Sequence, residues 1–584
     1  MDLWIWVVSE MNSVSELTVI SSEVEPLTSA GSEAPEPGAA SRRSAEQCLH
    51  ENLDSLAAAI TVAAFGLRFY VAGRNYLNPD EALHYLIINQ PNIWLTYKAS
   101  LSNAHPPLIY LIVYAWHFLG RSELMLRLPS VLAGTAFCWF AYKWMATAMG
   151  KAAGLIGLIF CAFSPAAMAL STEVRAYALL LCFMAGALYF LARALEEQSA
   201  RQMWWFSAFL YLAILSHYSA LFFTVALGLY ALARFANLES PRKLAVPWAL
   251  GQAGALMLYG FLYLTHISKL KNSIAVWSTM FDASYYEPSR ANIFEFTLQR
   301  TRGIFLFLFG ERHVADAMLA LFLAGAVFLF ARDLLSKGEN RRLARMGLLL
   351  VVPFFSVWLA AIVRVYPYVA SRHTAFLAPF AIAGAAYAVA ALTRQKLWAG
   401  LLVAGACVAF VNASVKPVEL GISNGDESPA QMAAAMNYMH ANIPQGDLIL
   451  VDLQSYMPLT YYFCGPRTIV PMEILGASYF RSACSGNPIL SFHNWKVIAP
   501  SFARQFEQTA RDNQLPPGKR VWLYQTGWGG TIDLDLANFD SRFRCLDAKR
   551  FGDGVSVMLF IVGADLKPDA PPGTCANLPS SPPA

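Results

Sequence analysis

The sequence is short of charged residues. Asp, Glu, Lys and Arg make up 14% of its 584 residues, against roughly 25% in an average soluble domain. Apolar residues make up 56%, and the mean hydropathy is +0.41. Because a soluble protein of this length needs a large polar surface, the composition indicates lipid-exposed surface and excludes disorder, collagen and a cytosolic multidomain enzyme.

Three further features are missing. The net charge of +4 gives no field strong enough to indicate a nucleic-acid partner. The nine cysteines show neither Cys-x-x-Cys nor the Cys/His spacing of a metal or redox site. The opening MDLWIWVV is too short for a signal peptide and lacks its basic residues, so no cleaved leader is expected.

What the sequence has instead is a series of long apolar runs separated by short breaks. Each run is interpreted as one crossing of the bilayer, which takes about 20 helical residues. The predicted spans are Leu56–Ala72, Leu124–Met149, Ala152–Ser171, Val174–Leu195, Met203–Ser216, Ala220–Phe235, Val246–His266, Ala315–Ala331, Met346–Val363, Thr374–Leu392 and Leu397–Ala413. The fold class is therefore mainly α, a polytopic transmembrane bundle of about eleven spans, with Pro106–Leu119 either crossing or lying in the interface.

The distribution of basic residues predicts the orientation. Arg42 and Arg43 precede the first span and place the N-terminus in the cytoplasm. With eleven spans, the loop 76–106, the loop 267–312 and everything after residue 413 then lie outside. Basic residues occur at every cytoplasmic turn, but the outer loop 267–312 carries several as well, and an anionic ligand would explain them.

A soluble α/β pattern begins after the last span. We predict a disordered cytoplasmic tail over 1–52, a transmembrane domain over 53–414, a periplasmic α/β domain over 415–564 and a disordered tail over 565–584. Four cysteines fall in the last two regions, where an oxidising compartment favours one or two disulfides, and their pairing is left open. They are Cys464, Cys484, Cys545 and Cys575.

The segment NPDEALHYL in the first outer loop places two carboxylates, Asp80 and Glu81, together in a protein that uses few acids. One interpretation is purely structural, because Asn78 and Pro79 suit the start of a helix whose first turn favours acids. A helical turn would also orient a catalytic carboxylate. Glu81 and His84 offer two ligands to a divalent metal, which leaves a metal open, and no other cofactor is indicated.

Two further groups of polar residues stand at the outer ends of spans. Glu173 and Arg175 interrupt an apolar stretch, either as an internal ion pair or as separate functional groups. The second group either anchors the chain at the interface or binds phosphate, for which the Arg fork is suited. It comprises Arg364, Tyr366, Tyr368, Arg372 and His373. Glu123 and Arg127, four residues apart, are interpreted as a structural ion pair.

Three segments in order, NPDEALHYL, AHPPLIYLIVYAWHFLGRSELMLRLPS and STEVRAYALL, resemble the GT-C superfamily of membrane glycosyltransferases. The resemblance covers roughly residues 53–413 and is greatest to bacterial lipopolysaccharide-core sugar transferases, protein O-mannosyltransferases and the aminoarabinose transferase of lipid A. YVASRHTAFLAPF is similar to a later Arg-containing segment of that family.

The resemblance implies sugar transfer from a polyprenyl-phosphate donor to a glycolipid or protein acceptor at the outer face of a bacterial inner membrane. It assigns the catalytic role to Asp80, and Glu81 is the second acid of the same motif. Glu173 occupies the position at which relatives have another acid in the next outer loop. Substrate-binding residues are expected among the remaining outer polar side chains. They are His84, His105, Arg175, Tyr177, His217, Tyr218, Lys269, Arg364, Tyr368, Arg372 and His373.

The chemistry points the same way. A sugar hydroxyl is a poor nucleophile, so a carboxylate must accept its proton, and Asp80 is the first choice. The leaving phosphate needs fixed cations, supplied by Arg364, Arg372 or the Lys269/Lys271 pair, and direct displacement would invert the anomeric carbon. The alternatives are a transporter or flippase of a lipid-linked sugar, and an O-antigen polymerase or ligase. The sugar and the acceptor are left open.

Overall fold

The structure is a computed structural model of the full chain. It describes residues 51–236, 238, 241–270, 281–335, 343, 345–414, 429–471, 480–492, 512–526, 543–552 and 555–562. The predicted tails therefore lie outside the described residues, apart from Glu51 and Asn52. The side chains of Cys545 and Cys575, and all of Lys271, also lie outside them.

Most of the chain to residue 414 is helical. The main helices of this part are α1 (Leu53–Ala72), α2 (Pro79–Ile88), α3 (Ile93–Ser100), α4 (Leu108–Trp116), α5 (Glu123–Met149), α6 (Lys151–Phe163), α7 (Pro165–Leu170), α8 (Tyr177–Glu197), α9 (Ala200–Ser216), α10 (Ala220–Phe235), α11 (Arg242–Thr265), α12 (Ile293–Phe309), α13 (Arg312–Leu335), α14 (Met346–Ile362), α15 (Ala378–Leu392) and α16 (Leu397–Ser414). Within the described residues, six helices are long and apolar enough to cross a membrane, and four more are apolar but shorter. The fold class is confirmed, whereas the number of spans stays a prediction.

Two predicted spans are interrupted. Ala152–Ser171 divides into α6 and α7 at Ser164, where Pro165 lacks the N–H that would continue the helix and Ser164 Oγ accepts from the N–H of Ala167 (3.3 Å). Thr374–Leu392 begins as the 3-10 segment Arg372–Leu377 before it becomes α15. The second break brings Arg372 next to Asp80 at the start of α2.

The count of apolar runs missed one helix and left a second segment undecided. Helix α12 lies within the predicted outer loop 267–312, and its polar first half hides it from a search for apolar runs. Helix α4, the ambiguous segment, has nine residues and a length of about 14 Å. It is therefore too short to cross a bilayer.

The core of the bundle is built around α8. This helix packs between α5 and α9, and most of its side chains are buried. Helix α5 also contacts α1 and α6, and α15 contacts α6 and α13. By contrast, α1 and α11 leave much of their apolar surface exposed, as expected of helices that face lipid.

The α/β domain contains α17 (Pro429–Asn442) and α18 (Leu453–Tyr462) with six strands, β1 (Leu448–Asp452), β2 (Arg481–Cys484), β3 (Asn487–Phe492), β4 (Arg520–Thr526), β5 (Phe543–Phe551) and β6 (Val555–Val562). The sheet order is β2-β3-β1-β4-β6-β5. Strand β1 is parallel to both β3 and β4, and the outer pairs are antiparallel. A disulfide joins Cys464 to Cys484, 20 residues apart.

Candidate active site

The motif NPDEALHYL forms the start of α2. Asn78 is the N-cap: its side chain accepts from the N–H of Glu81 (3.0 Å), and its own N–H donates to the Glu81 carboxylate (3.1 Å). Pro79 occupies the first helical turn, where a missing N–H costs nothing. The structural interpretation of this motif is therefore correct for the backbone, and it fixes the directions in which the two acids point.

Glu81 faces inward and binds Arg127. The Arg127 guanidinium donates to both carboxylate oxygens at 2.7 Å, and the two side chains are 1% and 2% exposed. The N–H of Val174 also donates to Glu81 (2.9 Å). Arg127 binds in addition the carbonyl oxygens of Ala72, Asn75 and Tyr76. Helices α1, α2, α5 and the loop before α8 are thus joined at one point.

This arrangement bears on two predictions. Glu81 was assigned with the catalytic carboxylates; both of its oxygens are engaged by Arg127, which are the contacts of a structural residue, and its catalytic role stays a prediction. Arg127 was paired with Glu123, but its ion pair is with Glu81, and Glu123 instead accepts from the hydroxyl of Tyr462 (2.6 Å). The Arg127 guanidinium also occupies the oxygens that Glu81 would offer to a metal beside His84.

Asp80 points the other way, toward two arginines. Its Oδ2 forms an ion pair with Arg175 and accepts from Nη2 of Arg372 at 2.7 Å. Arg175 is 3% exposed, whereas Arg372 is 18% and Asp80 is 23% exposed. The three residues come from α2, the loop before α8 and the 3-10 segment before α15, so three distant parts of the chain meet at one carboxylate.

A buried group of aromatic rings adjoins this carboxylate. His84 donates from Nδ1 to the carbonyl oxygen of Asp80 (2.7 Å) and stacks on Tyr110, with ring centroids 5.1 Å apart. His105 lies 5.6 Å from His84 and 5.3 Å from His217, and Tyr177 lies 5.1 Å from His217, again between centroids. We call Asp80, Arg175 and Arg372 with these five rings the polar cluster.

Several atoms of the polar cluster are buried without a hydrogen-bond partner. They include Nε2 of His84, Nε2 of His105 and the hydroxyl of Tyr110. Since Nδ1 of His84 and of His105 donates to an oxygen, the hydrogen-bond network leaves each Nε2 as an acceptor. Buried polar atoms are normally paired, so these acceptors suit a ligand that carries hydroxyl groups.

The histidines of the polar cluster are neutral. Burial, reinforced by the charge of Arg372, lowers the pKa of His84 to about 3. Burial and the charges of Arg175 and Arg372 lower the pKa of His217 to about 4. The fixed positive charge of the cluster therefore comes from the two arginines.

Glu173 is the second predicted acid. It is buried in the loop before α8, and its Oε2 has no hydrogen-bond partner. Burial raises the pKa of Glu173 to about 8, and the nearby charge of Glu81 acts in the same direction, while Arg372 and Arg127 oppose it. At neutral pH the side chain is mostly protonated, so it can donate a hydrogen bond as well as accept one.

Some predicted binding residues contact groups outside the polar cluster. Arg364 is held by Asp282 and Glu287. The Tyr368 hydroxyl pairs with that of Thr301 at 2.9 Å, and Lys269 is exposed at the end of a 3-10 turn.

Two other predicted residues lie at the edge of the cluster. Tyr218 donates to Nδ1 of His266 (2.5 Å), whose Nε2 donates to the Asn103 carbonyl (2.8 Å), and the Asn103 side chain accepts from His105 (3.1 Å). His373 packs edge-on against Phe281 and lies near His105. Tyr110, which the sequence prediction missed, could have been found as a tyrosine on the buried face of α4.

The α/β domain contacts both ends of α2 and the residues just before it. Tyr462 of α18 accepts from the N–H of Leu77 (2.8 Å), and the hydroxyl of Tyr76 pairs with that of Thr526 at 2.9 Å. The segment 464–470, which we call the clamp segment, offers backbone carbonyls to the far end of α2. Asn89 donates to Thr468 (2.8 Å) and Gln90 to Val470 (3.2 Å). These contacts could not be predicted from the sequence, because their partners are more than 370 residues apart.

No metal site is evident in the part of the chain that the structure describes. Within it, no three His, Cys, Asp or Glu side chains are arranged to hold a metal ion.

Comparison with known proteins gives a family model and a fold. The model of the dolichyl-phosphate-mannose-protein mannosyltransferase family matches residues 104–265. This segment contains His105, Glu173, Arg175, Tyr177 and His217, but not Asp80. No curated protein matches the chain significantly.

Among solved structures, ArnT from Cupriavidus metallidurans bound to undecaprenyl phosphate superposes with a TM-score of 0.52. The two sequences are 13% identical, and the match covers 86% of this chain and 97% of ArnT. The protein has the GT-C fold.

Other solved structures with the GT-C fold match less closely. The oligosaccharyltransferase of Archaeoglobus fulgidus, tethered to an acceptor peptide, gives a TM-score of 0.48 at 12% identity and covers 81% of this chain and 69% of that one. The mycobacterial arabinofuranosyltransferase AftD gives 0.43 at 13% identity and covers 88% of this chain and 40% of that one. The predicted resemblance to the GT-C superfamily is confirmed for the fold, by the match to ArnT.

Proposed function

We propose that the protein transfers a sugar from a polyprenyl-phosphate donor to a hydroxyl of a lipid, glycan or protein at the outer face of a bacterial inner membrane. The observation that carries the proposal is the polar cluster, in which a carboxylate and two arginines meet a group of hydrogen-bonding rings. A phosphorylated sugar needs these three elements: a base, cations for the phosphate and partners for the hydroxyl groups.

The reaction assigns a role to each element. The acceptor oxygen attacks C1 of the donor sugar while Asp80 takes its proton. The bond from C1 to the phosphate oxygen breaks, and its electron pair leaves with the phosphate, whose charge Arg175 and Arg372 stabilise. The Nε2 atoms of His84 and His105 accept from sugar hydroxyls. Attack opposite the leaving phosphate inverts C1.

The position of the cluster favours this reaction over transport. Asp80 follows α1, Arg175 precedes α8, His217 follows α9 and Arg372 precedes α15. Because these residues belong to one connected cluster, they lie together at one end of the bundle. A transporter would instead carry its site near the middle of the membrane, between two repeats.

Mass spectrometry of envelope glycolipids and glycoproteins tests the function. Cells with the protein should contain a molecule one sugar heavier than cells without it, and restoring the gene should restore the mass. An Asp80→Asn variant present at the normal level should not restore it. If the masses are identical with and without the protein, the transfer is rejected, and if Asp80→Asn restores the heavier molecule, Asp80 is not the base. Retention of configuration at C1 in the product would reject direct displacement.

A further inference from the structure

The polar cluster contains a conflict between two roles. The base must be free to accept a proton, yet Asp80 Oδ2 is engaged by both Arg175 and Arg372. A carboxylate oxygen that accepts a hydrogen bond from one guanidinium group and forms an ion pair with a second is a weak proton acceptor. Likewise, the two arginines cannot offer all their donors to a phosphate while they hold Asp80.

The neighbouring acids do not resolve the conflict. Glu81 is saturated by Arg127 and the N–H of Val174, so it is not a partner for either arginine of the cluster. Glu173 is buried with an unpartnered Oε2 and forms no ion pair among the described residues. Asp80 is therefore the carboxylate of the polar cluster that pairs with both Arg175 and Arg372.

The two arginines differ in their freedom to move. Arg175 is 3% exposed and fixed in the loop before α8, and a cation buried to this extent requires an anion beside it. Arg372 is 18% exposed at the start of a 3-10 segment, and Asp80 is 23% exposed. Asp80 and Arg372 thus have space to separate while Arg175 stays in place.

We propose that Asp80 occupies the place of the donor phosphate on Arg175 and Arg372, and that the arriving phosphate displaces it. This inference rests on the proposed function and adds the order in which the donor and the acceptor act. A phosphate has several oxygens, so each guanidinium group can bind a different oxygen atom. Asp80 offers a single oxygen, Oδ2, to both. Binding of the donor thereby releases Asp80 as the base, so the acceptor is deprotonated only after the donor is bound. Asp80 accepts no proton before a phosphate is bound.

The proposal predicts that removing the charge of Asp80 tightens phosphate binding. The probe is undecaprenyl phosphate without a sugar, measured with the full-length protein in lipid nanodiscs. If Asp80 holds the arginines for about nine-tenths of the time, Asp80→Asn should bind roughly tenfold more tightly than the unchanged protein. Arg372→Gln should bind more weakly than the unchanged protein.

A matched control exists in the chain. Asp282 also pairs with an arginine, Arg364, outside the polar cluster. Asp282→Asn should leave the affinity for undecaprenyl phosphate unchanged. Tighter binding by Asp282→Asn but not by Asp80→Asn would overturn the assignment and place the phosphate on Arg364.

The remaining outcomes separate this inference from the proposed function. Equal or weaker binding by Asp80→Asn, in a variant with unchanged thermal unfolding, rejects displacement. If that variant does not fold, the double variant Asp80→Asn with Arg175→Gln provides the second comparison. It lacks one of the two arginines that bind the phosphate, so it should bind undecaprenyl phosphate no more tightly than the unchanged protein. Tighter binding by the double variant rejects the proposal. Either rejection leaves the transfer intact if the one-sugar mass difference in cells persists.

Discussion

Asp80 and Glu81 are neighbours in the chain but have opposite surroundings. Successive residues of a helix point about 100° apart, so Glu81 turns into the bundle and Asp80 turns toward the cluster. The buried residue has a single partner of opposite charge, and the partly exposed residue has two. Substitutions at the two positions should therefore affect different properties of the protein.

Replacing Glu81 should mainly affect stability. Glu81→Gln leaves the charge of Arg127 buried without an ionic partner, which is expected to destabilise the folded protein by about 3 kcal/mol. The change should appear as a lower midpoint of thermal unfolding in detergent. The control is Asp282→Asn, which breaks a more exposed ion pair and should shift the midpoint much less, because solvent screens such a pair. An unchanged midpoint for Glu81→Gln would show that its pair with Arg127 does not stabilise the fold.

Glu173 should make phosphate binding depend on pH. Its pKa of about 8 means that the side chain is neutral below this pH and becomes negative above it. The new charge acts on Arg372 and competes with the donor phosphate, so the affinity for undecaprenyl phosphate should fall as the pH rises from 7 to 9. Glu173→Gln should remove this fall, whereas a fall of equal size in the variant would assign it to another group.

At the scale of helices and strands, much of the fold could be predicted because apolar runs report burial in lipid directly. The runs at α1, α5, α10 and α14 agree with the structure to within a few residues. Helix α12 was missed because its first half is polar, and the break before Pro165 was missed because the run stays apolar across it.

The candidate site was predicted in part for a related reason. Charged residues within apolar sequence are conspicuous, so Asp80, Arg175 and Arg372 could be found. Which of them pair could not be found, because the partners lie far apart in the chain. The clamp segment and Tyr462 were not found at all, since nothing in a short soluble helix or its following loop reveals what it contacts.

Tyr462 should act as a positioning residue for α2. Tyr462→Phe removes the acceptor for Leu77 and the donor to Glu123, and a buried polar group left unpaired costs about 1–3 kcal/mol. Hydrogen exchange over residues 76–90 should become faster and sugar transfer should fall, while the membrane helices keep their protection. Tyr438→Phe, which removes a hydroxyl contact to Asp547 far from α2, is the matched control. Equal exchange over 76–90 in the two variants would exclude a positioning role.

At the scale of the whole molecule, the Cys464–Cys484 disulfide supports the clamp segment. It joins residues 20 apart and should stabilise the α/β domain by about 3 kcal/mol. Because the clamp segment begins at Cys464, Cys464→Ser should loosen α2 and reduce sugar transfer without unfolding the bundle.

The free thiol at Cys407 in α16 supplies the control for the cysteine change itself. Cys407→Ser should transfer sugar normally in the same mass measurement. Full transfer by Cys464→Ser would show that the clamp segment keeps its place without the disulfide.

The α/β domain also determines when α2 is fixed in place during translation, through its contacts with Tyr76, Leu77 and Asn89. Their partners follow 450, 385 and 379 residues later in the chain. A ribosome therefore finishes the helices up to Ser414 before it makes the residues that fix α2 in place. We expect the growing chain to be inactive during this interval, and a protease that removes chains with a loose α2 would remove those that ended early.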